Sequence, residues 1–197
     1  MKYLCSARAN IAATLACVVL TGGCSAPVPA EAPVVAIAAP PKGAPVHFAF
    51  ETLDGKPLTT QTIAGRITVI GFVATYDTAS QAQARFLSSL SRRHAPRLNV
   101  AILVLEPPQN RPMVEAFAAT LQLPYPVALA DQATIAGEGP FAGLHHVPSV
   151  VILDREGRPR WQHIGLIQES DIEEAVRAIE GRLGDATARE KDGGGAQ

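Results

Sequence analysis

Apolar and polar positions alternate along most of this chain in patterns that distinguish strands from helices. Over 46–50 the period is two, and Asp54-Gly55 follows, which predicts a short strand or hairpin. The β-branched run 67–75 is apolar throughout and predicts a central strand covered on both faces. The globular part therefore begins with β-structure and contains one deeply buried strand.

Helical spacing and further strand patterns then alternate up to residue 183. The predicted elements are, in order, a helix from Ala79 to Pro96, a strand over 99–106, a helix with Pro112 near its start, a brief strand over 126–130, a short helix capped by Asp131, a hairpin over 149–165, and a closing helix. In the closing helix, Ser170 and Glu173 have the spacing of a capping box. This order predicts an α/β fold with a mixed sheet between helical layers.

Residues 1–23 have the pattern of an export signal. Lys2 and Arg8 form a basic start, and the apolar stretch that follows is too short to span a bilayer. Gly22-Gly23-Cys24 resembles a bacterial lipoprotein signal, which predicts a membrane anchor on Cys24. The alternative is cleavage at a nearby small residue, which would release a soluble exported protein.

The segments around the domain differ from it in composition. Residues 24–45 are rich in Ala, Pro and Val, which predicts an extended tether, and 184–197 predict a disordered tail. The domain itself is expected over 46–183. Because the leader removes two basic residues from a chain of net charge −1, the mature charge is −3, and nucleic acid is not an expected partner.

Four segments carry a family resemblance that spans nearly the whole globular part. Residues 50–56, 71–76, 147–149 and 151–157 resemble the membrane-tethered thioredoxin-like proteins of the TlpA and ResA type. The resemblance implies a thioredoxin-like three-layer fold, a location in the cell envelope facing the periplasm, and thiol-disulfide exchange. In lipoproteins, Ser25 after the modified cysteine favours the outer over the inner membrane. The chain also resembles the peroxiredoxins, whose chemistry likewise requires a cysteine at this helix start.

The chain departs from that family at its catalytic motif. In the family, the strand equivalent to 72–76 is followed at once by Cys-x-x-Cys, whereas here Asp77 and Ser80 occupy the two cysteine positions. All three cysteines, Cys5, Cys17 and Cys24, precede the domain. Because disulfide exchange needs a thiolate nucleophile, the domain is expected to be redox-inactive and to act by binding.

The expected binding groove includes the start of the helix and the Val147-Pro148 bond. The candidate residues are Tyr76, Asp77, Thr78, Ser80, Val147 and Pro148. Asp77 has two interpretations, a helix N-cap and a contact for a ligand. The resemblance implies a cis proline at 148 that pairs with an extended peptide, although it also serves simply to shape the loop. An envelope protein or extended peptide is therefore the expected partner.

Histidines and aromatic residues near the groove raise two further hypotheses. His145 and His146 with Asp77 suggest a metal site, for example for copper. Their alternative is two ordinary surface or loop histidines, which point in different directions if the loop is extended, and no metal or other cofactor is expected. Trp161 and Tyr76 are interpreted as residues that pack near the sheet edge and the rim of the site, in preference to a cofactor-binding motif. The alternative functions are a TlpA-type oxidoreductase and, less favoured, a copper carrier.

Overall fold

The computed structural model describes residues 43–193, with side chains as far as Leu183. The leader and most of the tether, 1–42, lie outside the described residues, as do 194–197. The predicted opening hairpin is present. Strands β1 (Ala49–Glu51) and β2 (Pro57–Thr59) pair antiparallel around the Asp54-Gly55 turn, where Gly55 has a φ of 75°.

A five-stranded mixed sheet forms the centre of the domain. Its strands are β3 (Thr68–Val73), β4 (Asn99–Val104), β5 (Val127–Leu129), β6 (Ser149–Leu153) and β7 (Pro159–Ile164). Their spatial order is β5-β4-β3-β6-β7, with β3, β4 and β5 parallel and with β6 and β7 antiparallel to their neighbours. The run predicted as the central strand is β3, and all six of its residues are buried. The predicted mixed α/β sheet is confirmed.

Helices and short segments cover the two faces of this sheet. The helices are α1 (Thr60–Ile63), α2 (Thr78–His94), α3 (Arg111–Leu121), α4 (Gln132–Ile135) and α5 (Glu169–Gly193), with two 3₁₀ turns at Pro108–Asn110 and Gly139–Phe141. Alternate residues of each strand face opposite layers, as the period of two requires. On one face α2, α3 and α5 enclose a core of aliphatic side chains that includes Leu87, Val114 and Ile172.

The second face is covered mainly by the opening hairpin and the segment before Pro148. Phe48, Phe50 and Phe72 surround Phe141, whose ring centroid lies 5.2 Å from that of Phe48 and 5.3 Å from that of Phe72. Aromatic pairs at these separations add to the free energy gained by burial. This cluster fixes the 3₁₀ turn of Phe141 against the sheet, and the chain then continues into the loop that carries Pro148.

The predicted capping box at the closing helix is wrong. Helix α5 already begins at Glu169, so Ser170 lies inside the first turn, and its hydroxyl contacts Asp171. Glu173 Oε1 instead accepts hydrogen bonds from Arg93 Nη1 at 3.1 Å and from His94 Nε2 at 3.0 Å. The cationic end of α2 therefore engages the acidic side chain that a capping box would need.

Helix α5 also extends further than the predicted domain. The predicted tail starts at residue 184, yet the helix continues to Gly193. Its sequence over 186–191 is rich in Ala, Arg, Glu and Lys, which have high helix propensity. None of the helices in the described part of the chain combines the length and apolar character that crossing a bilayer requires.

The turn of the second hairpin is built around a buried carboxylate. Asp154 is 1% exposed, and its Oδ1 accepts the backbone N–H groups of Glu156 and Arg158 at 3.0 and 2.8 Å. Its Oδ2 accepts Arg160 Nε at 2.6 Å. The charge is thus both paired and hydrogen-bonded, which is the condition for burying it.

We predict that Asp154→Ala lowers the free energy of unfolding by about 2–3 kcal/mol, because it leaves Arg160 and two N–H groups without their acceptor. Urea denaturation measures this change. The control is Lys56→Ala, which breaks the solvent-exposed Lys56–Asp54 pair and is expected to cost less than about 1 kcal/mol. Equal losses in the two variants would contradict the structural role of Asp154.

A second prediction concerns the pH dependence of the α2–α5 contact. The hydrogen bond from His94, assisted by the charge of Arg93, holds the pKa of Glu173 below its ordinary value although partial burial opposes this. A carboxyl with a lowered pKa stabilises the folded state above its unfolded pKa, and this contribution disappears as pH falls through the folded pKa.

We therefore expect Glu173→Gln to cost less than about 1 kcal/mol at neutral pH, and the difference from the native chain to shrink below about pH 4.5. Thermal unfolding between neutral and acidic pH measures this. The exposed Glu174→Gln serves as the control and is expected to show no such difference. A difference for Glu173→Gln that grows on acidification would contradict the assignment.

Candidate functional site

The loop from β3 to α2 holds Asp77 as the N-cap of the helix. Its Oδ2 accepts the backbone N–H of Ser80 at 2.7 Å, and its own N–H donates to the Ala74 carbonyl at 3.3 Å. The carboxylate thus satisfies one of the free N–H groups of the first turn and faces the positive end of the helix dipole. The structure agrees with the capping interpretation of Asp77.

Ser80, at the other former cysteine position, lies inside the protein. It is 0% exposed, and its Oγ accepts the Ala74 N–H at 3.2 Å. No base contacts this hydroxyl among the described residues. Ser80 therefore braces the loop from within, and it does not present a polar group to a ligand as the groove interpretation expected.

Glu106 is a buried residue that contacts this loop from the end of β4, and its sequence pattern predicted only that it belongs to a strand. It follows β4, is 1% exposed, and accepts the Thr75 N–H at 2.5 Å and Asn110 Nδ2 at 2.8 Å. Gln81 Nε2 also donates to the Thr75 carbonyl at 3.3 Å. The one sequence signal for Glu106 was its position as an acidic residue at the end of an otherwise apolar strand. Side chains thus fix the backbone on both sides of Thr75.

The bond between Val147 and Pro148 is cis, as the resemblance implied. Pro148 is buried, whereas Val147 is half-buried. Ser149 pairs with Phe72 at the end of β3, so this bond lies beside the loop that leads to Asp77. The Ser149 hydroxyl donates to the His146 carbonyl at 2.5 Å, which holds the turn closed.

A third segment, between β7 and α5, completes the site. Gly165 N–H donates to the Pro148 carbonyl at 2.8 Å, and Ile167 N–H donates to Gln83 Oε1 in α2 at 3.0 Å. Ile164 and Leu166 on either side of Gly165 are 38% and 44% exposed. These bonds attach the segment both to the cis proline and to the first turns of α2.

We call the surface formed by residues 74–80, 146–149 and 163–167 the mouth. Its exposed members are mainly apolar: Tyr76 is 75% exposed, and Ile164 and Leu166 accompany it. The interpretation of Tyr76 as a packing residue is therefore wrong, because the braced loop turns it to solvent. Thr78 is also exposed, while Asp77 is half-buried. Exposed aromatic and aliphatic side chains on a fixed backbone are typical of a surface that contacts another molecule.

Trp161 and His163 lie on β7 beside the mouth. Their rings stack at a centroid distance of 6.0 Å, and Trp161 packs against the larger core, as predicted. Burial lowers the pKa of His163 although the charge of Asp171 opposes this. The neutral form of His163 is thus favoured, which adds no charge to the apolar surface.

The two adjacent histidines lie close together, since the loop is not extended as divergent rings would require. The rings of His145 and His146 lie 4.2 Å apart instead of pointing in different directions, because the chain bends here and is not extended. His145 also contacts Gly137 so closely that an added Cβ there would lie 2.5 Å from Nδ1. Within residues 43–193 no three His, Cys, Asp or Glu side chains form a group able to hold a metal ion. Asp77 therefore does not form a metal site with His145 and His146.

Comparison with solved structures assigns the fold. A putative thiol:disulfide interchange protein DsbE from Chlorobium tepidum superposes with a TM-score of 0.59 at 20% identity, over 70% of this chain and 96% of that one. StoA from Bacillus subtilis superposes with a TM-score of 0.56 at 18% identity, over 68% of this chain and 98% of StoA. A secreted Mycobacterium tuberculosis disulfide oxidoreductase homologous to DsbE superposes with a TM-score of 0.56 at 17% identity, over 67% of this chain and 96% of that one.

The chain therefore has the thioredoxin-like fold of the DsbE and StoA proteins, and the expectation drawn from the TlpA and ResA resemblance is confirmed at the level of the fold. No protein-family model and no curated protein matches the sequence. The mouth occupies the end of the sheet that follows β3, where the sequence placed the altered cysteine motif.

We predict that Asp77→Ala lowers the free energy of unfolding by about 1 kcal/mol, because the Ser80 N–H loses its acceptor, whereas Asp77→Asn costs less than about 0.5 kcal/mol. Chemical denaturation measures both. Thr78→Ala is the control, since Thr78 is exposed and its side chain makes no hydrogen bond among the described residues. A higher free energy of unfolding for Asp77→Ala would contradict the capping role. It would indicate that Asp77 contacts a ligand at a cost to folding stability.

Proposed function

We propose that this protein is an exported, lipid-anchored member of the thioredoxin-like proteins that has lost redox activity and binds an extended peptide or protein segment at the mouth. The anchor is a lipid on Cys24, and the domain faces the periplasm from the outer membrane in preference to the inner one. The secreted M. tuberculosis neighbour supports export.

One observation carries the proposal. The two positions where the family has its cysteines are occupied by Asp77, which caps α2, and by Ser80, which is fully buried and bonded to Ala74. The described domain contains no cysteine at all. Thiol-disulfide exchange needs an accessible thiolate, so the same helix start here supports structure and not electron transfer.

The peptide-binding part is supported by the open backbone of Val147. Its N–H and carbonyl make no hydrogen bond within the described residues, and its side chain is half-buried. Two free backbone groups in line with β6 suit the addition of an extended segment, which supplies the complementary donor and acceptor. Tyr76 and Leu166 then provide apolar contacts for its side chains.

The main alternative is a TlpA-type thiol-disulfide oxidoreductase, and it is favoured by the activity named for the structural neighbours. This chain would need a thiol donated by its partner to perform that reaction. A copper carrier is a further alternative. The close pair of His145 and His146 rings favours it, but no third ligand accompanies the two rings among the described residues.

An insulin-reduction assay separates the binding proposal from the enzyme. The sample is the full-length chain with Cys5→Ser, Cys17→Ser and Cys24→Ser, which we call the cysteine-free chain. It is expected to show no turnover above the rate without protein, because it has no sulfur nucleophile. Turnover by this chain would contradict the proposal.

The positive control restores the motif by adding Asp77→Cys and Ser80→Cys to the cysteine-free chain. We expect added oxidised glutathione to join the new thiols with loss of two hydrogen atoms, detected by mass spectrometry, while it is itself reduced to two glutathione thiols. With dithiothreitol as the electron donor, insulin reduction is expected to appear. The reason is that the helix N-terminus lowers the pKa of a thiol placed at position 77. Failure to form the disulfide would show that the loop no longer has the geometry of a redox site.

The anchor is tested on the native chain in bacterial membranes. Mass spectrometry of the N-terminal peptide is expected to show Cys24 as the first residue with acyl groups attached. An unmodified Cys24, or an N-terminus beyond it, would contradict the anchor while leaving the binding proposal intact. Fractionation of inner and outer membranes then tests the preferred location.

A further inference from the structure

The end of the sheet opposite the mouth contains a second recess, which we call the trough. It has a volume of about 600 Å³ and passes the first residues of β3 and β4, including Thr68, Asn99 and Val100, and the segment 124–126 that leads into β5. The mouth lies beyond the other end of β3, so the trough shares no residue with it. Small-molecule sites commonly have volumes of about 300–1,000 Å³.

The walls of the trough are mainly apolar. Leu58 of the hairpin and Ile63 of α1 line one side, and Leu98, which precedes β4, and Val100 of β4 line the other. All four are at most 8% exposed, so they belong to a formed wall. Proline rings line the entrance, and these are solvent-exposed and conformationally stiff: Pro57, Pro96, Pro124 and Pro126.

The charge at the entrance is unbalanced. Arg66 is exposed, and its Nη1 donates to Asn99 Oδ1 at a long 3.4 Å. No carboxylate pairs with Arg66 among the described residues, whereas the other cation, Lys56, pairs with Asp54 at 3.3 Å. Asp54 is the one acidic residue that lines the trough, so the lining has a net charge of +1. A guanidinium without a carboxylate beside an apolar recess is complementary to an amphipathic anion.

We propose that the trough binds a small apolar monocarboxylate. The apolar part lies between the Ile63 and Leu98 sides, and the carboxylate accepts two hydrogen bonds from the Arg66 guanidinium, which exchanges its long bond to Asn99 for a charge-assisted pair. This site is independent of the peptide-binding proposal, because it uses neither Tyr76 nor the cis proline.

The test is an NMR titration of the full-length cysteine-free chain with octanoate, compared with 1-octanol as the uncharged probe of equal chain length. We expect saturable shifts at the amides of trough residues such as Leu58 and Leu98, with octanoate binding at least about fivefold tighter than octanol. Absence of saturable shifts in the trough would overturn the proposal.

Three variants locate the interaction. Arg66→Gln is expected to weaken octanoate binding about tenfold and leave octanol unchanged, since one charge-assisted interaction is lost. Arg85→Gln, which alters an exposed arginine outside the trough, is the matched control and leaves both unchanged. Ser91→Phe fills the trough from α2 and is expected to weaken both probes. Equal octanoate binding by Arg66→Gln and Arg85→Gln would overturn the role of Arg66, and shifts confined to the mouth would overturn the site.

Discussion

The hydrogen bond from the Ser80 N–H to the Asp77 carboxylate determines what the mouth can do. It starts α2 immediately after the central strand, at the position where a redox protein of this fold needs its first sulfur. A thiolate and a capping carboxylate use the same unpaired N–H groups and the same positive end of the helix dipole, so one replaces the other. With the carboxylate in place, the Ser80 N–H is paired and the position of the first sulfur is occupied.

The surroundings of this cap make the loop rigid while leaving its tip exposed. Ser80 holds Ala74 from below, and Glu106 and Gln81 hold Thr75 on either side. Tyr76 follows these fixed residues and yet is 75% exposed. A loop held so firmly loses little conformational entropy when another molecule contacts it, which favours binding. The hydrogen bond from the Gly165 N–H to the Pro148 carbonyl joins the two neighbouring segments of the mouth.

Much of the fold could be predicted from the sequence because the hydrophobic periodicity of each element agrees with the turn and capping residues at its ends. The run that became β3, the hairpin turn at Asp154 and the Asp131 cap were all signalled locally. Tertiary competition explains the errors: Arg93 and His94 from α2 recruit Glu173, which no local pattern of α5 reveals.

At the site, the residue types at 77 and 80 could be read directly, but their burial and partners could not. Glu106 and the segment at Gly165 reach the mouth from elements distant in sequence. The close approach of the His145 and His146 rings depends on a bend that the sequence pattern did not signal.

The central claim is that a redox-inactive mouth contacts a protein segment through its exposed apolar tip. Site-specific photo-crosslinking in the native envelope tests it most directly, with the photoreactive residue placed at Tyr76 and, for comparison, at Arg97, which is exposed beyond the C-terminal end of α2. The account predicts a discrete adduct of defined mass from position 76 and none from position 97. Identical patterns from both positions, or no adduct from position 76, would contradict it.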